Sequence, residues 1–180
     1  MMKTLYIISF MILLLVFSGC GKGFSEGGYF TDGKAMAAEA KAGITEITHE
    51  ELRVKMEGGE LRVLIDVREP SEFEEGYINQ ANDDFEFPYP ETFTVNIPRG
   101  ILELKMGDKQ YWDEELWLDM PPIDEEVVIY TQTGKRSALA AQALLQLGYN
   151  NVTSLKGGYR KWLDPNAPEE EAVKSSGGCG

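Results

Sequence analysis

The feature that most limits how this chain can fold is a strand–loop–helix–strand unit between Val127 and Leu155. Val127, Val128 and Ile129 make a short apolar, β-branched run, the pattern of a buried strand. After the six residues 131–136 the chain runs from Ser137 to Leu147 through strong helix formers that are apolar on most faces. Gly148 then supplies the permissive backbone that commonly ends a helix, and Val152 to Leu155 is another short strand.

The same alternation extends upstream. Ile44 to Ile47 alternates apolar and polar residues and reads as a short first strand. Thr48-His49-Glu50-Glu51 has the form of a capping box, in which Thr48 caps a helix and Glu51 reaches back from its third position. That helix should run to about Glu57 and stop at Gly58-Gly59, leaving His49 in a solvated first turn. Leu61 to Val67 is a second buried strand, Pro70 opens a short helical turn, and Gly76 closes it. Ile101 to Met106 reads as a short helix, and Asp113 to Met120 as another ahead of Pro121-Pro122. Strands alternating with helices imply an α/β fold, a small parallel sheet with helices on both faces.

The residues with chemical interest lie at strand ends. In Thr131-Gln132-Thr133-Gly134-Lys135-Arg136, a loop entering a helix can turn successive N–H groups inward. The helix N-terminus adds its unpaired donors, and Lys135 and Arg136 add full charge, which together make a cradle for a small oxyanion. The same pattern also fits an ordinary strand-to-helix turn with two solvated cations. Asp66 and Arg68 follow the second strand at the end where open α/β sheets place ligands; a structural ion pair fits them equally.

These segments carry a family resemblance. The stretch VVIYTQTGKRSALAAQALLQLGYNNVTSLKGGYRKW looks like the C-terminal half of a rhodanese-like domain, and DVREPSEFEEGYINQA is similar to that family's signature after the second strand. The resemblance covers residues 44–163, with Tyr77 where His is usual and Asn79-Gln80 where Pro-Gly is common. It implies a rhodanese-like fold. In that family the six-residue loop begins with a catalytic Cys, which carries sulfane sulfur as a persulfide, and closes with Arg. Arg136 matches the closing Arg and Gly134 the loop glycine, but the position of the Cys holds Thr131. A threonine hydroxyl has neither a thiolate's acidity nor a persulfide form. The resemblance therefore implies a sulfurtransferase scaffold without its nucleophile: a module binding an anion or a partner, with no catalytic residue and no cofactor.

Two other outcomes stay open. The loop could bind nothing, in a structural envelope protein. Alternatively, Cys179 on the tail could carry sulfur instead; about 16 residues of flexible chain beyond Leu163 span about 20–24 Å. Cys179 also fits a terminal thiol with no role.

At the N-terminus Lys3 precedes the apolar run Leu5 to Phe17, too short for a comfortable membrane span but suited to a secretory signal. Ser18-Gly19-Cys20 then resembles a bacterial lipobox, making Cys20 the lipidated first residue of the mature chain, with an uncleaved anchor as the alternative. Gly21, not Asp, follows, which by analogy points to an outer-membrane lipoprotein facing the periplasm, with an envelope protein as its partner. The expected organisation is a signal over 1–19, a lipid-anchored tether over 20–43, the domain over 44–163 and a mobile tail over 164–180, with a short helix around Lys34 to Lys41 inside the tether.

The net charge of −13 disfavours nucleic acid and anionic lipid surfaces as partners. With one histidine and, after lipidation, one thiol, the chain lacks the usual zinc ligand set and any intramolecular disulfide. Residues 82–94, rich in Asp, Glu, Phe and Pro, read as an insertion whose aromatics pack on the domain, or as a lid or partner-binding loop.

Overall fold

The computed structural model describes residues 32–82, 84 and 86–168 of the 180. The expectations for the signal segment, Cys20 and Cys179 lie outside these residues.

Five short strands form one parallel sheet: β1 (Thr45–Ile47), β2 (Val63–Asp66), β3 (Phe93–Asn96), β4 (Val127–Tyr130) and β5 (Val152–Leu155). Their order across the sheet is β1-β5-β4-β2-β3, so β4 and β2 lie inside it with every residue buried. Strand periodicity divides their side chains between two cores. Val63, Ile65, Val127 and Ile129 point into one, with Trp112, Met106 and Leu144. Leu64, Val128 and Tyr130 point into the other, with Leu52, Met56 and Leu155. Each such side chain contributes about 1.5–3 kcal/mol on burial.

Helices cover both faces, as expected: α1 (Gly33–Ala42), α2 (His49–Glu57), α3 (Pro70–Glu74), α4 (Leu102–Met106), α5 (Lys135–Gln146) and α6 (Gly158–Leu163). The capping box of α2 is formed: Thr48 Oγ1 accepts from Glu51 N at 3.2 Å, and Glu51 Oε2 accepts from Thr48 N at 2.8 Å. His49 is half-buried against Glu50 rather than fully solvated.

Several boundaries differ from the sequence reading. The segment read as tether contains α1, which is capped by Asp32 and packs on α5 through buried Ala37 and Ala40. It belongs to the folded unit, because small side chains let two helices approach closely. Residues 164–168, expected in the mobile tail, lie against the domain: Ala167 is buried, and Pro168 O accepts from the Arg160 guanidinium at 2.6 Å. Asp113–Met120 was expected to be helical, but a π-helix spans Tyr111–Leu116 and ends at Trp117, whose φ of 56° lies in the left-handed region. The chain from 82 to 94 ends in β3, an unexpected strand, and Tyr89 packs on the second core while Phe87 stays exposed.

Candidate functional site

The 131–136 loop leaves the carboxyl end of β4, in the middle of the sheet, and enters α5 at Lys135. Gly134 sits at φ +83°, and a Cβ there would stand 3.3 Å from Leu155 O and 3.4 Å from Gly157 N. The loop must turn in the left-handed region against another backbone, which glycine does without steric cost.

Its other wall is the turn from β5 into α6. Tyr159 N donates to Thr131 O at 2.8 Å and Arg160 N donates to Gln132 O at 3.1 Å. Gly158 makes this approach possible: a Cβ there would lie 2.1 Å from Thr131 O. With its carbonyls bound on that side, the loop leaves the N–H groups of Gln132, Thr133 and Gly134 without a backbone acceptor among the described residues. Thr131 is 1% exposed, and its hydroxyl has no hydrogen-bond partner among the described residues.

The cations are distributed differently from the sequence expectation. Arg136 donates to both oxygens of Glu72, at 2.9 and 2.8 Å, with Glu69 at 3.8 Å. Its charge is therefore balanced by α3 and its neighbour, and the guanidinium is not free to serve the loop. The Arg136 contact holds the Glu72 carboxyl below its usual pKa, against the opposing effect of burial. Asp66 and Arg68 form a buried pair at 2.6 Å and are a structural strut. Arg68 also donates to Gly76 O at 2.7 Å and to Gln132 Oε1 at 3.3 Å, with its guanidinium 4.2 Å from the ring of Tyr159. It thus ties the end of β2 to the loop and to α6. Burial raises the Tyr130 hydroxyl well above its usual pKa, with the Asp66 charge adding to it, so this phenol is a neutral donor and acceptor and no base.

Sequence reasoning missed Gly158, Tyr159 and Arg160 as the second wall of the loop. It also missed Lys41, whose ammonium lies 3.5 Å from where a Cβ on Gly134 would be. A larger groove of about 640 Å3 runs beside β3, walled by Tyr77, Phe93 and Trp117, and is apolar. No group of His, Cys, Asp and Glu suited to a metal occurs among the described residues.

A five-stranded parallel sheet with a six-residue loop between its central strand and a buried helix defines a class of domain, and comparison with known proteins agrees. Residues 48–165 match the model of the rhodanese-like domain, and the chain belongs to that family. It is 31% identical to human thiosulfate:glutathione sulfurtransferase over 68% of this chain and 96% of that protein. It is 28% identical to a sulfurtransferase of Allochromatium vinosum over 69% of this chain and 94% of the other. Among solved structures, a human single-domain sulfurtransferase superposes with a TM-score of 0.55 at 29% identity, covering 66% of this chain and 94% of that one.

Proposed function

We propose that this chain is a rhodanese-like module of the bacterial cell envelope, lipid-anchored through Cys20, that has no sulfurtransferase activity and binds a small oxyanion beside its 131–136 loop. The observation that carries this reading is Thr131, buried at the loop's first position with its hydroxyl unpaired among the described residues. Sulfur transfer of the kind named for the relatives requires a thiolate there. The thiolate attacks the sulfane sulfur of thiosulfate, the S–S bond of the donor breaks, and sulfite leaves with its electron pair. The resulting persulfide then gives its outer sulfur to cyanide, releasing thiocyanate and regenerating the thiolate. An unactivated hydroxyl performs neither step, and neither the loop nor its walls supply a base.

What survives the loss of sulfur is the cradle: N–H groups without a backbone acceptor among the described residues, the N-terminus of α5, and lysines at its rim. The test is the conversion of thiosulfate and cyanide to thiocyanate by the purified full-length chain. No rate above background is expected. Thr131→Cys should gain one sulfur atom by mass on exposure to thiosulfate, because the same donors favour a thiolate. Robust wild-type turnover that is abolished by Cys179→Ser would overturn the reading and move the chemistry to the C-terminal segment.

A further inference from the structure

The sheet ends at β3, and the 640 Å3 groove runs along that edge from Thr92 to Asn96. Phe93 N donates to Arg62 O at 2.8 Å and Ile97 N to Asp66 O at 3.0 Å, so Phe93, Val95 and Ile97 pair with β2. Alternation along the strand turns the N–H and C=O groups of Thr94 and Asn96 the other way, towards the groove. An edge of this kind is a template for a further strand.

Walls rise beside the edge from both faces of the sheet. Leu116 and Leu118 pack on the core of one face and carry Trp117 between them. Tyr77 adjoins Ile78 of the other core and stacks on Phe73, ring centroids 4.2 Å apart. Trp117 has φ 56° and ψ 34°, a left-handed conformation that bulky residues rarely adopt. It is nonetheless 84% exposed, so no burial compensates for that backbone. Trp117, Phe87 and Phe93 together offer on the order of 400 Å2 of apolar surface to the groove, comparable to the largest patch on a typical monomer. The floor is fixed in advance: Asn79 Oδ1 accepts from Tyr89 N at 2.8 Å, and its amide donates to Tyr89 O and Thr92 O at 2.8 and 2.7 Å.

We propose that the groove takes an extended, cationic segment of a partner protein, which adds to β3 as a further strand and sets alternate apolar side chains between Trp117 and Tyr77. A lone strand passes between the walls; the edge of a second copy, flanked by walls of its own, does not. Charge selects the same occupant. Glu115 lines the groove, 3.6 Å from Lys105, and Asp119 is exposed just beyond Trp117. With a net charge of −13, the field of the chain repels a second copy and attracts a basic segment. The inference is independent of the anion site, since none of residues 131–136 is among the described residues lining this groove.

The experiment selects phage-displayed random peptides of about nine residues on the immobilised full-length chain in nonionic detergent. Enriched sequences should alternate apolar with basic or polar residues, and a synthetic copy of one is then titrated by fluorescence anisotropy. Trp117→Ala should weaken its binding about thirtyfold, the scale of a buried aromatic anchor. Thr94→Pro removes the outward N–H and none that pairs with β2, and should weaken binding at least about tenfold. Thr94→Val keeps that N–H while losing the hydroxyl bond to Ile78 O, and should bind within about twofold of wild type. So should Leu163→Ala, an exposed apolar control on α6. Trp117→Ala, a change at the surface, keeps the test decisive should Thr94→Pro fold poorly. Peptides that bind Trp117→Ala, or a folded Thr94→Pro, as they bind wild type overturn the proposal, and so does the lack of any enriched sequence. A dimer in sedimentation velocity that Trp117→Ala dissolves assigns the groove to a second copy and overturns it too.

Discussion

Two residues show how narrowly the loop is held. Gly158 has φ +63° and sits where a Cβ would be 2.1 Å from Thr131 O. Gly158→Ala must both enter the left-handed region and push the loop from α6, and should lower stability by about 2 kcal/mol or more, read as a lower urea midpoint. Glu72 makes the opposite kind of test. Its carboxyl titrates below the ordinary range in the folded chain because of Arg136, so the pair stabilises fully above the unfolded value of about 4.3 and its contribution is lost as pH falls through the folded one. The pair is about one-third exposed and therefore screened, so Glu72→Gln should cost about 1 kcal/mol at pH 7 and progressively less as the pH falls through the folded value, measured by denaturation of both forms across that range. Glu51, held low by its capping box, titrates in the same window, which is why the comparison is with the variant and not with the wild-type profile alone. The paired glycines were legible as punctuation before a helical turn. Their contact with the loop was not, because nothing local to residues 156–162 records what lies against them.

At the scale of elements, regular periodicity translated well. The second strand, α2 with its cap, and the last strand appear where apolar runs and capping residues put them. The failures share a cause: tertiary contact decided what local pattern left open. Helix α1 is poor in large apolar residues, so its composition suggested a tether, yet Ala40 is 1% exposed against α5. Ala40→Glu should therefore destabilise the fold by about 2–3 kcal/mol, while Ala38→Glu, on the exposed side, should change thermal stability little. Equal effects would mean that α1 is not docked. Strand β3 escaped notice because four residues between proline-punctuated segments carry too little period to stand out. It is defined by pairing with β2, Val63 opposite Phe93 and Asp66 opposite Asn96. Among the candidate site residues, the six of the loop were singled out from pattern and resemblance, and the structure places them together between β4 and α5. The Asp66–Arg68 pair was open to reading from its spacing, but the Glu72 partner of Arg136 and the Gln132 contact of Arg68 were not, since a contact across 64 positions of chain leaves no trace in either neighbourhood.

For the whole molecule, the question is where it resides. The apolar run ending at Ser18-Gly19-Cys20 motivates an anchored protein, and radiolabelled palmitate should enter the wild-type chain and not Cys20→Ala, with the label in the membrane fraction. Equal labelling of the two would remove the anchor from the proposal. The strand order carries a different consequence, for the making of the molecule. β1 joins the sheet only through β5, with Thr45 opposite Thr153, 153 − 45 = 108 residues later in the chain. An early-synthesised strand thus has no partner until almost all of the domain exists, and closing so long a span makes assembly slow. Until then the nascent chain carries an unfilled edge on β4, and it is the last strand to arrive that joins the two halves of the sheet.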